Sequence, residues 1–338
     1  MTHLERIDAV MAGLECDRPP YGVVTSLYGA RAGGYSLDDY YTDPQLYVRG
    51  QAAVDQILAP DILFGPFLFA YHAAAFGAEL ALQHDGAPTV RRPPFRSVSE
   101  AVAMDLPDIA MDRWLSFLVD AVSLLAERFG HEHVIVAPIV SPVDLPVLLV
   151  GMEAWLEALL FDKPAAAALA ERMIGHFKAM ADAYFKAGAQ LLASPMVFAS
   201  PEILDDSSVR TLTLPILARA FGSLSGPIAL HHGGLRMAHR LQLFADLPNL
   251  AGYILGEQDS FAEARQILGD GPLLMGNISG PHFDTYGPEG VRQRLAALAR
   301  NRQGDRRWIC TSSGAELPYG TDPAVLTAVR TFFMEWPG

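Results

Sequence analysis

Histidines and carboxylates flanked by glycines mark the places in this sequence where chemistry could be done. The run Ile228-Ala-Leu-His-His-Gly-Gly234 ends an apolar stretch in two histidines and two glycines. Histidine titrates near neutral pH and binds metals through either ring nitrogen, so His231 is a candidate acid/base group or metal ligand. Alternation along a strand puts residues i and i+2 on one face, so His231 and Gly233 point together and His232 points away. Glu257 follows the next apolar run, and Glu316 sits in Ser313-Gly-Ala-Glu-Leu-Pro318. Either could stand beside His231 as a His/carboxylate pair for a harder metal than thiolates would choose, or be a solvated loop acid. Asn277, after Gly276, could orient a polar substrate or cap a helix. Arg31 and Tyr35 could form an anion clamp, because a guanidinium suits bidentate carboxylate or phosphate contacts. His72 lies in the apolar run Phe69-Ala-Tyr-His-Ala-Ala-Ala-Phe76, where a substrate contact and a core histidine both fit. Cys310, inside Trp308-Ile-Cys-Thr311, reads as a small buried hydrophobe.

Short apolar runs at Tyr21–Leu27, Ile62–Phe64, Val134–Ile139, Gln190–Ala193, Ile228–His231, Gly252–Leu255, Leu273–Met275 and Trp308–Thr311 read as strands. Between them, amphipathic patterns predict helices over Gln45–Leu58, Trp114–Phe129, Val147–Leu160, Pro164–Ala187, Ser208–Leu224, Met237–Ala245, Phe261–Leu268, Glu289–Arg302 and Pro323–Trp336. Asp162-Lys-Pro164 and Thr321-Asp-Pro323 carry helix-start signals. About eight strand–helix units predict a (β/α)8 TIM barrel; a doubly wound sheet competes, but no glycine-rich dinucleotide fingerprint follows the first strand. The expected organisation is one barrel domain over 1–338 with an N-terminal helical extension. In a barrel, chemistry belongs at the carboxyl ends of the strands.

With 338 residues and 51% hydrophobic side chains, the chain can bury a large core, which excludes a disordered protein. Its 25 Lys+Arg against 38 Asp+Glu give a net charge of −13, so no basic surface for nucleic acid or anionic membrane is expected. Two cysteines exclude a disulfide scaffold. The apolar stretches Ile62–Leu82 and Val134–Gly151 are interrupted by prolines and by His72 and Asp144, so neither reads as a membrane span. No secretory signal is visible at the N-terminus, and a cytoplasmic location is expected.

Six short motifs, in order, resemble the uroporphyrinogen decarboxylases and the related cobamide-dependent methyltransferases. They are Tyr41-Thr-Asp-Pro44, Asp61-Ile-Leu, Ala75-Phe-Gly-Ala-Glu79, the His-His-Gly-Gly run, Gly276-Asn-Ile-Ser, and Ser313-Gly-Ala-Glu-Leu-Pro318 followed by Thr321-Asp-Pro323. The resemblance implies a (β/α)8 barrel. In the methyltransferases it also implies a zinc held by one histidine and two cysteines, which binds a thiol as thiolate. Here Gly233 and Ala315 stand where those cysteines would be, leaving His231. The usual zinc site is therefore expected to be absent, with His231 and Glu257 as the remaining candidates for a divalent metal. The decarboxylase motif fares no better: Gly34 replaces its second arginine, and the catalytic aspartate that the resemblance implies, in a Ser-Asp-Ile-Leu run, has no match, since the segment after Asp61 reads Ile-Leu-Phe-Gly-Pro-Phe-Leu.

The retained glycines favour the methyltransferase side. The resemblance then implies a small-molecule substrate, a corrinoid (cobalamin) carried by a partner corrinoid protein, and His231, Glu316 and Asn277 as catalytic candidates. Arg31, Tyr35 and His72 are the substrate-binding candidates. A decarboxylase-like lyase acting on a carboxylated, even tetrapyrrole, substrate through Arg31 is the alternative. A catalytically silent barrel that binds a corrinoid protein is a third reading, so enzymatic activity itself stays open, as does a homodimer.

Overall fold

The computed structural model describes residues 1–314 and 316–336. Ten strands form: β1 (Tyr21–Gly22), β2 (Ile62–Phe64), β3 (Glu79–Ala81), β4 (Thr89–Arg92), β5 (Val134–Pro138), β6 (Leu191–Pro195), β7 (Ile228–His231), β8 (Leu250–Ile254), β9 (Leu273–Ser279) and β10 (Trp308–Ser313). Eight of them make one parallel sheet in the order β1-β10-β9-β8-β7-β6-β5-β2. The remaining seam is closed by the Asp61 backbone N–H, which donates to the Tyr21 carbonyl at 2.8 Å. The result is a (β/α)8 barrel with helices packed around it, as the spacing of the apolar runs predicts.

Two apolar layers follow from strand alternation. Inside the barrel Val24, Phe64, Val136, Ala193, Ile254 and Met275 pack together, and Ile7 and Val10 of the helix His3–Ala12 plug the amino end. The outward-facing strand residues join the larger core between strands and helices, Cys310 among them. Helix starts follow their caps: Asp162 accepts from the Ala165 N–H at 3.2 Å and Asp322 from the Ala324 N–H at 2.8 Å.

Several elements differ from the sequence reading for identifiable reasons. Strand β1 stops at Gly22 instead of Leu27, because side chains from the far end of the sequence take over its backbone. Ser312 Oγ accepts from the Val24 N–H at 2.9 Å and Glu316 Oε1 from the Leu27 N–H at 2.7 Å. The expected helix Val147–Leu160 is two helices, Leu145–Val150 and Met152–Phe161, broken at Gly151 with φ +89°. Ser208–Leu224 widens to a π turn over Val209–Thr213, next to Pro215, which lacks an N–H and crowds the preceding turn. The helix Phe283–Asn301 begins before Glu289 and kinks at Gly287, next to Pro288. The antiparallel hairpin β3–β4 carries no signal that the apolar periodicity picked up.

Candidate functional site

Loops at the carboxyl ends of the strands enclose a cavity of about 390 Å³. Its walls are mostly apolar: Phe64, Phe67 and Phe69 on one side, Pro138, Val140 and Leu148 on another, then Pro195, Phe198 and Ile254. Among the described residues, four side chains that carry heteroatoms line it: Asp144, His231, Thr311 and Ser312. No lysine or arginine lines it among the described residues. A largely apolar pocket with a few convergent polar groups is the usual form of a small-molecule site.

Asp144 is the functional candidate that the sequence reading missed. It lies six residues beyond β5 and is 4% exposed. Its Oδ2 accepts from Ser141 Oγ at 2.5 Å, its Oδ1 accepts from the Phe198 N–H at 2.9 Å, and its own N–H donates to Ser141 Oγ at 3.1 Å. Burial pushes its carboxyl up to about 7, the hydrogen bonds from Ser141 and Phe198 offsetting only part of the desolvation. A carboxyl tuned to neutral pH inside a pocket is suited to acid/base work. A sequence signal existed: Asp144 is the one charged residue in Val134–Gly151.

His231 sits at the end of β7 and faces the same cavity. The Gly233 N–H donates to its Nδ1 at 3.0 Å. A neutral imidazole accepts at one nitrogen and donates at the other, so the proton sits on Nε2. Burial, reinforced by the neighbouring His232 ring at 4.3 Å between centroids, lowers its pKa to about 3. His231 therefore stays neutral across the physiological range, as a hydrogen-bond donor and not a cation. His232 turns the other way. Its Nδ1 and Nε2 lie 3.0 Å from the backbone nitrogens of Gly234 and Gly314, and the one that is unprotonated accepts the N–H it faces.

The other sequence-predicted residues lie elsewhere. Glu316 is bound to the Leu27 N–H, and burial raises its pKa to about 8. It does not line the cavity. Asn277 Nδ2 donates to the carbonyls of Gly256 and Asp259 at 2.9 and 3.0 Å, bracing the loop after β8. Glu257 is exposed; its Oε1 accepts from Tyr286 Oη at 2.9 Å, and it borders a small neighbouring pocket with His232 instead of joining His231. Arg31 is exposed and donates to the Tyr319 carbonyl at 2.9 Å, and neither it nor half-buried Tyr35 reaches the cavity. His72 is packed in the helix layer, 3.0 Å from the Nε2 of His176, and burial holds its pKa well below the usual value. Its partner lies 104 residues away in sequence, so no local pattern could show that the ring is already engaged.

The donor set can be tested against the zinc that the resemblance implies. Ala315 lies outside the described residues. Gly233 has φ +65°, and a Cβ there would stand 2.6 Å from Val197 Cγ2, so a cysteine would be both strained and crowded. Among the described residues no three His, Cys, Asp or Glu side chains converge as ligands. Cys310 faces the helix layer, and burial raises its thiol to about 12. These residues do not fit a His/Cys/Cys zinc centre.

A family model described as uroporphyrinogen decarboxylase (URO-D) matches residues 2–336. The chain belongs to the uroporphyrinogen decarboxylase family. One relative of this family member is the Methylcobamide:CoM methyltransferase MtaA of Methanosarcina barkeri, 21% identical over 270 residues, with 75% of each chain covered. Among solved structures, a methyltransferase from Methanosarcina mazei superposes with a TM-score of 0.84 at 18% identity, covering 100% of both chains. A B12-independent methionine synthase from Shewanella sp. W3-18-1 superposes with a TM-score of 0.54 at 15% identity, covering 88% of this chain and 89% of the other. At these identities the superpositions show the shared barrel. No helix among the described residues is long and apolar enough to cross a membrane.

Proposed function

We propose that this member of the uroporphyrinogen decarboxylase family is a methyltransferase working with a corrinoid, through a site that does not use the thiolate-bound zinc of its relatives. The observation that carries the reading is the carboxyl-end cavity with Asp144 and His231 on its wall. The likeness to MtaA supports the branch. A cavity of about 390 Å³ suits a small substrate and is too small for a corrinoid macrocycle. A partner corrinoid protein would therefore present the methyl group from outside, at the mouth of the barrel.

The chain's own groups divide the work. Apolar walls exclude water from the reacting atoms. His231, neutral and carrying its proton on Nε2, donates a hydrogen bond to the substrate heteroatom. A methylcorrinoid presented by the partner would supply the methyl group, and the heteroatom that accepts it would have to lose its own proton. Asp144, poised near 7, takes that proton, and in the reverse direction returns it to the leaving heteroatom. The decarboxylase alternative loses its anchor, because Arg31 is tied to Tyr319 on the surface and the cavity offers no cation to a substrate carboxylate.

The test is spectroscopic. Methylcobalamin, or cob(I)alamin with a methyl donor, is mixed with the protein and the conversion is followed by absorbance. The reading expects a protein-dependent conversion that Asp144→Asn and His231→Ala slow by roughly 10²–10⁴-fold, with melting temperatures close to that of the parent. Corrinoid spectra unchanged by the protein, with or without a corrinoid protein present, would sink it.

A further inference from the structure

The polar inventory of the cavity is uneven, and that unevenness selects among substrates. Its one ionisable acid, Asp144, faces no Lys or Arg across the described lining. Ser312 Oγ accepts from the Val24 N–H. Thr311 Oγ1 is buried and has no hydrogen-bond partner, so it is closed off from the cavity that the rest of its residue lines. The oxygens of Asp144 accept one bond each from the protein, from Ser141 and from the Phe198 N–H, so lone pairs remain for a ligand O–H. The same cavity is lined by the rings of Phe67 and Phe69, 4.7 Å apart between centroids.

A permanent anion entering this space would lose its hydration, meet a carboxyl and find no counter-charge, which is a costly arrangement. A neutral ring with one oxygen meets the opposite situation. Its apolar part is buried against phenylalanine, and its oxygen is served by His231 Nε2–H and Asp144.

We infer that the substrate of this cavity is a neutral, mostly apolar, single-ring molecule carrying a hydroxyl or a methyl-ether oxygen, and that sulfonates, phosphates and carboxylates are excluded. The inference rests on the methyl-transfer reading for the reaction, but its binding claim stands on the cavity alone. The specificity-determining residues are Asp144 and His231, which serve the oxygen, and Leu148, which keeps that wall uncharged.

Calorimetric titration of the full chain with three probes tests it: 2-methoxyphenol, benzoate and 2-mercaptoethanesulfonate. The neutral probe binds at one site, and both anions bind roughly a hundredfold more weakly or worse. Leu148→Lys, which adds a cation to the wall, narrows the benzoate gap by about tenfold or more, and an unchanged melting temperature shows that the variant is folded. Either anion binding as tightly as 2-methoxyphenol overturns the inference, and so does failure of the neutral probe to bind. Binding of 2-methoxyphenol without any methyl transfer supports this inference and overturns the reaction proposed above. Methyl transfer confined to anionic substrates does the reverse.

Discussion

Two buried carboxyls, one at each end of the barrel, show how a charged partner decides what an acid is for. Asp61, fully buried at the amino end, accepts from Arg18 Nη1 at 2.6 Å, from Arg18 Nη2 at 3.1 Å, from the Tyr21 N–H at 2.9 Å and from His3 Nδ1 at 2.8 Å. Burial alone would raise its pKa, but the hydrogen bonds from His3 and Arg18 and the Arg18 charge outweigh it and hold the carboxyl below its usual value. Asp144 at the carboxyl end is buried almost as deeply, with a serine and a backbone N–H in place of arginine, and its pKa rises to about 7. Asp61 is a fixed charge that ties the helix His3–Ala12 to the start of two strands. Asp144 is a carboxyl kept near its titration point beside a cavity.

The contrast can be broken at either end. Asp144→Asn keeps the shape and removes the proton acceptor, so the rate of the proposed methyl transfer falls by roughly 10²–10⁴-fold. Stability holds or rises, since a raised folded-state pKa means the ionised carboxyl costs stability as pH climbs from the unfolded value toward 7. Rate and melting temperature measured on one preparation check both halves; a destabilised but active variant would reverse the roles assigned to the two acids.

Asp61→Asn is expected to do the opposite, leaving Arg18 buried without its counter-charge at a cost of about 3–5 kcal/mol in denaturant unfolding. The stability that Asp61 contributes is present above its unfolded pKa and is lost as pH falls through the lower folded value. Activity per folded molecule should be unchanged. A variant unfolding at the parent's denaturant midpoint would show that the ion pair is not what secures that end.

Next in size is Gly233→Cys, which introduces one of the two thiols that the family resemblance implies for a zinc site. Positive φ and the close approach of Val197 should cost about 1–3 kcal/mol, and metal analysis should find no stoichiometric zinc. A stable, zinc-loaded variant would show that the strand end adapts more readily than its geometry suggests.

The smallest effect concerns Glu316, whose folded pKa is raised to about 8. Its share of stability is intact below about pH 4.5 and declines as pH rises toward 8. Glu316→Gln can still accept from the Leu27 N–H and should flatten that decline, read from melting curves across the range. An unchanged slope would mean that Glu316 ionises as freely in the fold as out of it.

The barrel was legible because short apolar runs and helix caps are local. All eight barrel strands fall on those runs, and the glycines after β7 mark a carboxyl-end loop. The site was legible only in part, for reasons that are long-range. Asp144 stands alone in an apolar stretch, where composition makes it look like an interruption; only the fold shows that the stretch lines a pocket. Glu316 looks like a free loop acid until the chain brings Leu27 beside it from 289 positions away. Asn277 and Arg31 are likewise engaged by backbone carbonyls that no sequence spacing reveals.

The account's central claim is that Asp144 is the titrating carboxyl of the cavity, and it can be observed directly. Carbon-13 NMR of protein labelled at the aspartate carboxyls, with Asp144→Asn to assign the signal, would follow its ionisation. The account predicts a midpoint near pH 7 that shifts when 2-methoxyphenol binds. A midpoint near the ordinary aspartate value, about 4, indifferent to the ligand, would contradict it.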